Sequence, residues 1–413
     1  MRSFPGPTFP GPPTSRGLNR EAATRQSAGH TGSVSQRPAP RTLRPLARVC
    51  FAIGTLLSGL VPSDVSRADH LELVVGESAD GASGTNTGPR VPLVAPFGID
   101  FDRRGDMFIV ELEGGRVHHW NRRKGVTTIA GNGEQGDRGD QGPAASAVFH
   151  SMHAVAIDPS GDLYIADTLN HRVRRLDPRL MVVEPYAGTG KPGNAGDHGA
   201  ARDATFQGVY CVAFTPDYQT LLVTDLENRR IRAVDVKTGN LRPIAGNGER
   251  GVPRDGTPAT MNPLVDPRAA AADRFGNIYI LERGGHALRV VDPQGRIRTL
   301  VGTGTPGSGG DGGPALEAKL RGPKHLCVTV DGRVVIADTD NHQIRCYHPD
   351  TGRIELVAGS GRKGAQGLGG PAHLAELHFP HGVCLDSSGE LYVVDTGNNR
   401  ILKLVRHGKA GRL

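Results

Sequence analysis

Cysteine is scarce in this chain, and its scarcity excludes a fold held together by disulfide bonds. The 413 residues include five cysteines, and Cys50 precedes an apolar run near the N-terminus. Small secreted domains that rely on disulfides carry many cysteines in a short chain. We therefore expect the remaining four to be buried free thiols: Cys211, Cys327, Cys346 and Cys384.

Long apolar runs are missing too, which argues against an ordinary transmembrane helix. The run from Val49 to Val61 is about 13 residues long, whereas a spanning helix needs roughly 20. Arginines precede this run, and the small-x-small sequence Ser66-Arg67-Ala68 follows it. This order predicts a signal peptide over residues 46–68, cleaved after Ala68, and hence a secreted or periplasmic protein with no remaining membrane span. An uncleaved N-terminal anchor is the alternative.

A net charge is absent from the main body of the chain. Residues 1–68 contain nine Arg, no Lys and only two acidic residues, so the whole net charge of +7 lies there. The rest carries 40 basic and 40 acidic residues, and a neutral body argues against nucleic-acid binding. Residues 1–45 have few large apolar residues and are predicted to be disordered, unless the start codon is misassigned.

Motifs of the common catalytic classes are also missing. We find no Ser-His-Asp order, no phosphate-binding glycine loop and no paired-cysteine metal motif. The sequence therefore leaves open whether the protein is an enzyme, and its fold has to be inferred first.

An internal repeat dominates residues 69–413. A β-branched, apolar strand runs into an acidic residue and a polar turn, as in Leu163 to Arg174. The acidic residues recur every 56 to 58 positions, at Glu111, Asp167, Asp225, Glu282, Asp338 and Asp395. Repeats of this length indicate a stacked or radial architecture.

Each repeat carries four strand signals separated by turn residues. Four antiparallel strands per period, repeated six times, predict an all-β, closed six-bladed β-propeller. The chain ends on a third strand near Ile401, and residues 71–75 resemble the fourth strand at 354–358. We therefore expect the N-terminal strand to complete the last blade, which removes an exposed sheet edge.

A glycine-rich loop of nearly constant length follows each fourth strand. The fullest copy runs over 302–315, and a short helical turn is expected over 315–320. Such a loop is longer than a plain connection requires. The repetition predicts that these loops build one face of the propeller.

The repeat resembles the NHL-repeat family of β-propellers, in a bacterial secreted form. The likeness covers about residues 71–405 and rests on Asn170-His171-Arg172-Val173 and Asn341-His342-Gln343-Ile344, with variants at Asn228 and Asn398. The resemblance implies a propeller but not one activity, because the family includes binding modules, scaffolds, RNA binders and a metal-dependent lyase. Gluconolactonase and strictosidine-synthase-like propellers are more distantly similar.

The recurring acidic residues are interpreted as structural. Each precedes a turn, where a carboxylate can accept backbone N–H groups and fix the turn. Repeats one and four differ together, with Glu followed by Gly-Gly in place of Asp and Asn.

A second set of positions is the candidate site. One residue precedes each inner strand, and these residues should meet at the mouth of the central channel. They are Phe97, His153, Tyr210, Arg268, Lys324 and His381, called here the mouth ring. A polar set in a concavity is the default location for ligand binding. The alternative is that they are solvated rim residues.

Similarity to the peptide-amidating lyase of this fold extends to part of the mouth ring. This resemblance implies that His153 and His381 match two of the zinc ligands of that lyase and that Tyr210 matches its catalytic tyrosine. Arg268 occupies the expected place of the third histidine, and Phe97 that of the arginine, with His325 as a conceivable substitute ligand. If zinc binds, His153 and His381 are its expected ligands. Calcium at the loop aspartates is a further alternative.

The leading functional hypothesis is a secreted or periplasmic module that binds a protein, peptide or glycan through the loop-built face. The alternative is a metal-assisted lactonase, hydrolase or lyase with its site at the channel mouth.

Overall fold

The computed structural model describes residues 68–77 and 91–407. These belong to a compact unit that runs from Pro62 to Leu413. The predicted disordered segment and, except for its last residue, the predicted signal peptide lie outside the described residues. Among the described residues there is no α-helix, and none of the helical segments is long or apolar enough to cross a membrane.

Six antiparallel sheets form the blades of a closed propeller, which confirms the predicted fold. The inner strand of each blade contacts the inner strands of both neighbours, and the sixth contacts the first. The inner strands are β2 (Pro96–Phe101), β6 (Met152–Ile157), β10 (Val209–Phe214), β15 (Pro267–Ala272), β19 (His325–Val328) and β23 (Pro380–Leu385).

Three further strands complete each blade. The second strands are β3 (Met107–Glu111), β7 (Leu163–Asp167), β11 (Thr220–Asp225), β16 (Ile278–Glu282), β20 (Val334–Asp338) and β24 (Leu391–Asp395). The third strands are β4 (Val117–Asn121), β8 (Arg172–Asp177), β12 (Arg230–Asp235), β17 (Ala287–Val291), β21 (Gln343–His348) and β25 (Arg400–Val405). The outer strands are β5 (Gly125–Ala130), β9 (Val182–Ala187), β13 (Leu241–Ala245), β18 (Arg296–Val301), β22 (Arg353–Ala358) and β1 (His70–Val75).

Closure uses the N-terminal strand, as the sequence predicts. Strand β1 pairs antiparallel with β25, with Leu71 opposite Leu404 and Leu73 opposite Leu402. Leu71, Leu402 and Leu404 are buried between this blade and the fifth. The last blade therefore has four strands, although its outer strand comes from the other end of the domain.

The long loops do more than build a face. In the five loops whose middle the structure describes, this part runs beside the outer strand of the next blade, for example where Pro143 bridges Val182 and Pro314 bridges Arg353. In the fourth blade this contact becomes a fifth strand, β14 (Thr257–Pro258). Five 3₁₀ turns follow these contacts, at Ala144–Ser146, Ala201–Asp203, Ala259–Met261, Ala315–Glu317 and Ala372–Leu374.

The recurring acidic residues hold these loops in place, and we call them the locking carboxylates. All six are fully buried. In the second blade, Asp167 accepts the backbone N–H of His150 at 2.7 Å and the amide of Asn170 at 2.8 Å, and Arg174 lies 3.5 Å away. Arg174 also donates to the carbonyls of Val148 and Arg138 in the loop. The carboxylate thus fixes the incoming loop and not, as we expected, the backbone of its own turn.

Three further 3₁₀ turns, at Thr168–Asn170, Thr339–Asn341 and Thr396–Asn398, follow locking carboxylates. Each ends on a residue in the left-handed conformation, with φ of 53° at His171 and 56° at His342. The ring of His171 accepts the backbone N–H of Gly208 at 3.1 Å. The Asn-His signature therefore joins the turn of one blade to the loop that enters the next.

The first and fourth blades use a longer acid in the same role. Glu111 accepts the N–H of Val94 at 2.7 Å, and Glu282 accepts that of Val265 at 2.6 Å. A Cβ on Gly114 would lie 1.8 Å from Glu111 Oε2, and one on Gly285 would lie 2.5 Å from Glu282 Oε2. Glu and Gly therefore change together because the longer side chain occupies the space that a Cβ would take.

Candidate functional site

The structure brings the mouth ring together where the inner strands begin. Phe97 is 1% exposed and lies against three of the other five side chains. Its ring centroid is 4.5 Å from that of His153, 4.4 Å from that of His381 and 5.7 Å from that of Tyr210. Phe97 is therefore the apolar centre of the mouth, and it lies between the two imidazoles.

The remaining side chains extend this cluster around the ring. His153 packs on Tyr210 with a centroid distance of 4.2 Å, and the guanidinium of Arg268 lies 4.6 Å above the Tyr210 ring. Lys324 Nζ is 2.8 Å from His381 Nε2. The six positions thus form one continuous group of contacts. They are more deeply buried than solvated rim residues would be.

Burial sets the protonation of the two histidines. Loss of hydration lowers the pKa of His153 to about 3 and that of His381 to about 2, and the neighbouring cations lower both further. Burial is the larger cause at both histidines. Both imidazoles are consequently neutral at neutral pH. The same burial lowers the pKa of Lys324 to about 8.

Hydrogen-bond donors outnumber their partners in the mouth ring. Lys324 donates to the neutral ring of His381, and within the described residues no carboxylate lies within 4.0 Å of its Nζ. The other ring nitrogen of His381, Nδ1, is buried without a hydrogen-bond partner, and so is Nε of Arg268. Unpaired buried donors are costly unless an acceptor reaches them. The mouth is therefore suited to an acceptor-rich, anionic group.

Arg283 lies near the mouth and was missed by the sequence analysis. Arg283 Nη1 lies 3.8 Å from Asp266, and its Nη2 lies 3.9 Å from Asp340. Arg283 also contributes to the lowered pKa values of Lys324 and His381, so its charge is felt at the mouth. The available signal was its repeat position, directly after a locking carboxylate, where the other repeats carry Thr or Leu.

A cavity of about 270 Å³ lies further along the axis. All six inner strands line it, and its polar side chains include Asp100, Cys211, His325, Cys327 and Cys384. Burial raises the pKa of Asp100 to about 6 and lowers that of His325 to about 4. His325 is thus a cavity residue and not a member of the mouth ring. Among the described residues the four cysteines are free, as predicted, with Cys211 and Cys346 buried and the other two partly exposed.

The mouth ring does not offer a ready metal site. Within the described chain, neither His153 nor His381 belongs to a group of three potential ligands whose donor atoms all lie within 4.8 Å of one another. Phe97 lies between the two imidazoles, and Arg268 and Lys324 place positive charge beside them. A zinc ion there would lack a third protein ligand and face two cations. The geometry therefore does not favour zinc at these residues.

The NHL repeat model matches the chain at residues 149–176, 320–347 and 377–404. Each match covers the inner, second and third strands of a blade. NHL repeat-containing protein 2 of Gallus gallus is 25% identical over 344 residues, which cover 76% of this chain and 46% of that protein. SUPPRESSOR OF QUENCHING 1, a chloroplastic protein of Arabidopsis thaliana, is 28% identical over 287 residues, covering 67% of this chain and 27% of its own length. The chain spans less than half the length of these relatives.

Solved structures share the fold at low sequence identity. An auxiliary nutrient binding protein from Bacteroides ovatus has a TM-score of 0.58 and 16% identity, covering 82% of this chain and 77% of the other. A gluconolactonase from Xanthomonas campestris has a TM-score of 0.52 and 11% identity, covering 82% and 91%. The repeats and the fold agree: the chain is a β-propeller in which three of the six blades match the NHL repeat.

Proposed function

We propose that the protein is a secreted or periplasmic binding module that holds an anionic segment of a protein, peptide or glycan at the mouth ring. The observation that carries this proposal is the surplus of buried donors there. Lys324 has only a neutral imidazole as its partner, and His381 Nδ1 and Arg268 Nε have none. A carboxylate or sulfate entering the mouth would accept a charge-assisted hydrogen bond from Lys324.

The composition of the mouth also bears on the ligand. Each of the six blades contributes one side chain to the ring. Phe97 and Tyr210 are buried among the other members, at 1% and 3% exposure, so the ring presents polar groups to a ligand. The neutral charge of the body makes nucleic acid an unsuitable ligand.

Two further observations support the proposal. Structural neighbours with TM-scores of 0.57 and 0.58 are named auxiliary nutrient binding proteins. The apolar run before residue 69 has the form of a signal peptide, which supports a location outside the cytoplasm. Export would also bring the loop-built face into contact with extracellular polymers.

The test is a binding screen with purified protein against matched acidic and neutral peptides and glycans. We expect acidic members to bind and their neutral counterparts to bind weakly or not at all. The variant Lys324→Met should weaken binding at least tenfold, because it removes a charge-assisted bond worth roughly 1.5–3 kcal/mol. Lys237→Met is the matched control, since Lys237 is an exposed lysine in the turn between β12 and β13.

Three outcomes would contradict the proposal. Equal loss of binding in Lys237→Met would mean that attraction is nonspecific, and preference for neutral ligands would remove the argument from donor surplus. Turnover of a bound ligand that stops on chelation and returns with metal would replace the binding module with a metal-assisted lactonase, hydrolase or lyase.

A further inference from the structure

The outer half of the fifth blade brings a thiol, an imidazole and a carboxylate together. Cys346 and His348 lie on the same face of β21, two residues apart, and Glu355 is directly opposite Cys346 on β22. One donor atom from each residue lies within 4.8 Å of the other two. It is the one group of three such ligands in the part of the chain that the structure describes.

We propose that Cys346, His348 and Glu355 form a binding site for a divalent metal ion of the zinc class. Sulfur and imidazole nitrogen select zinc and related transition metals over calcium and magnesium. Three protein ligands leave a fourth position for water or an external ligand, as in open zinc sites. This site is separate from the mouth ring and does not depend on the function proposed there.

The state of His348 supports metal binding. Its Nε2 atom lies 2.8 Å from Glu355 Oε1, but the alignment is not that of a hydrogen bond, and this buried atom has no other hydrogen-bond partner. A buried nitrogen that faces both a carboxylate and a thiol is poorly satisfied by the protein alone. A metal ion between the three donors would satisfy it.

Exposure of the ligands also fits the proposal. Cys346 is fully buried, whereas the His348 side chain is 22% exposed and that of Glu355 is 48% exposed. An ion can therefore enter from the Glu355 side, where the carboxylate is exposed. On binding, a bond forms between Sγ and the metal, and the thiol proton leaves to solvent with no change of oxidation state.

Comparison with other blades indicates what the metal replaces. The second blade carries Arg175 opposite Glu184, and the two side chains lie 3.5 Å apart. The sixth blade carries Lys403 opposite Glu72. The fifth blade keeps the glutamate but has Cys346 in place of the basic residue. A bound cation would restore the positive charge that faces the glutamate in those two blades.

Two arginines lie near the thiol, Arg333 and Arg406. Arg333 is 2.8 Å from Asp331, and Arg406 is 3.7 Å from Asp69. Both guanidinium groups are thus partly neutralised by their own carboxylates, so their charge does not prevent cation entry.

The experiment is a Co²⁺ titration of metal-free protein kept under reducing conditions. A thiolate bound to Co²⁺ gives a near-ultraviolet charge-transfer band, and we expect it to saturate at one equivalent. Cys346→Ser should abolish the band, whereas Cys327→Ser, which removes another free thiol, should keep it. His348→Asn and Glu355→Gln should each weaken binding by more than the roughly tenfold cost of losing an outer-shell partner.

Circular dichroism of each variant separates lost ligation from lost folding. If Cys346→Ser does not fold, the two more exposed variants at His348 and Glu355 decide. The proposal is overturned if the unmodified protein gives no band, if folded Cys346→Ser keeps it, or if both exposed variants bind Co²⁺ as tightly as the unmodified protein.

Discussion

The locking carboxylates and the mouth ring each contain one residue from every blade, but they differ in whether their buried polar groups have partners within the protein. Each locking carboxylate is fully buried and accepts bonds from a backbone N–H group or a neighbouring cation. In the mouth ring, Lys324 has no carboxylate partner among the described residues, and His381 Nδ1 and Arg268 Nε are unpaired, although Nη2 of Arg268 lies 3.0 Å from Asp266. The first set is satisfied by the protein itself except at Oε2 of Glu111, which is buried without a hydrogen-bond partner, whereas the second set leaves donors on two of its members unpaired.

Residue identity follows the same division. The locking positions carry only Asp or Glu, because each must hold a similar loop in a similar way. The mouth positions carry five different residue types, among them Phe97, Tyr210 and Lys324. A position that stabilises every blade tolerates little variation between blades. Positions that converge on one ligand each meet a different part of it.

Removing a locking carboxylate should produce the largest loss of stability. Asp395 lies 2.7 Å from Nε of Arg400, which is fully buried and otherwise bonded to the carbonyls of Ala365 and Glu376. Asp395→Ala leaves this charge uncompensated and should cost about 3–5 kcal/mol in free energy of unfolding. Urea denaturation measures it, with the exposed Asp350→Ala as control. A loss below about 1 kcal/mol would mean that Asp395 does not hold the loop in place.

In the first blade, the locking carboxylate Glu111 should require glycine at position 114. Gly114→Ala places a Cβ on Glu111 and should lower the free energy of unfolding by up to about 3 kcal/mol. Gly199→Ala is the control, because its nearest contact would be an ordinary 3.5 Å. Adding Glu111→Asp to Gly114→Ala should recover part of the loss, since the shorter acid vacates the space. No recovery would contradict the steric explanation.

Burial of His381 in the mouth ring should make the free energy of unfolding depend on pH. The pKa of His381 is about 2 in the folded protein and about 6.5 when unfolded, so the unfolded state binds more protons as pH falls below 6.5. His381 therefore weakens the fold progressively from pH 6.5 downwards, by about 2 kcal/mol at pH 5. We expect His381→Gln to lose correspondingly less stability between pH 7 and 5. Identical pH profiles would mean that His381 is not buried as a neutral ring.

Much of the fold could be predicted because the repeat fixes it. The regular spacing of the six acidic residues predicted the number of blades. The match between residues 71–75 and 354–358 predicted that the N-terminal strand completes the last blade. The buried arginines were not predicted, although Arg174 and Arg345 occupy the same repeat position. Strand alternation places such a side chain on one face but does not tell whether a loop covers that face. The path of the long loop along the next blade was missed for the same reason.

The sequence predicted that the mouth-ring residues lie together, but it did not predict how deeply they are buried. Counting from the loop glycines placed Phe97 and His381 at one level of the ring, and they do contact each other. Burial of the imidazoles depends on how closely the inner strands approach, which spacing does not give. The group of Cys346, His348 and Glu355 needs the pairing register of two strands, so neighbouring residues in sequence did not reveal it.

The most direct test of the comparison is the free energy of unfolding of Lys324→Met without ligand. If the mouth ring serves binding, removing a charge that burial already disfavours should leave stability unchanged within about 0.5 kcal/mol or raise it. A loss of several kcal/mol, like that expected for Asp395→Ala, would contradict the account. It would place Lys324 among the residues that hold the propeller together.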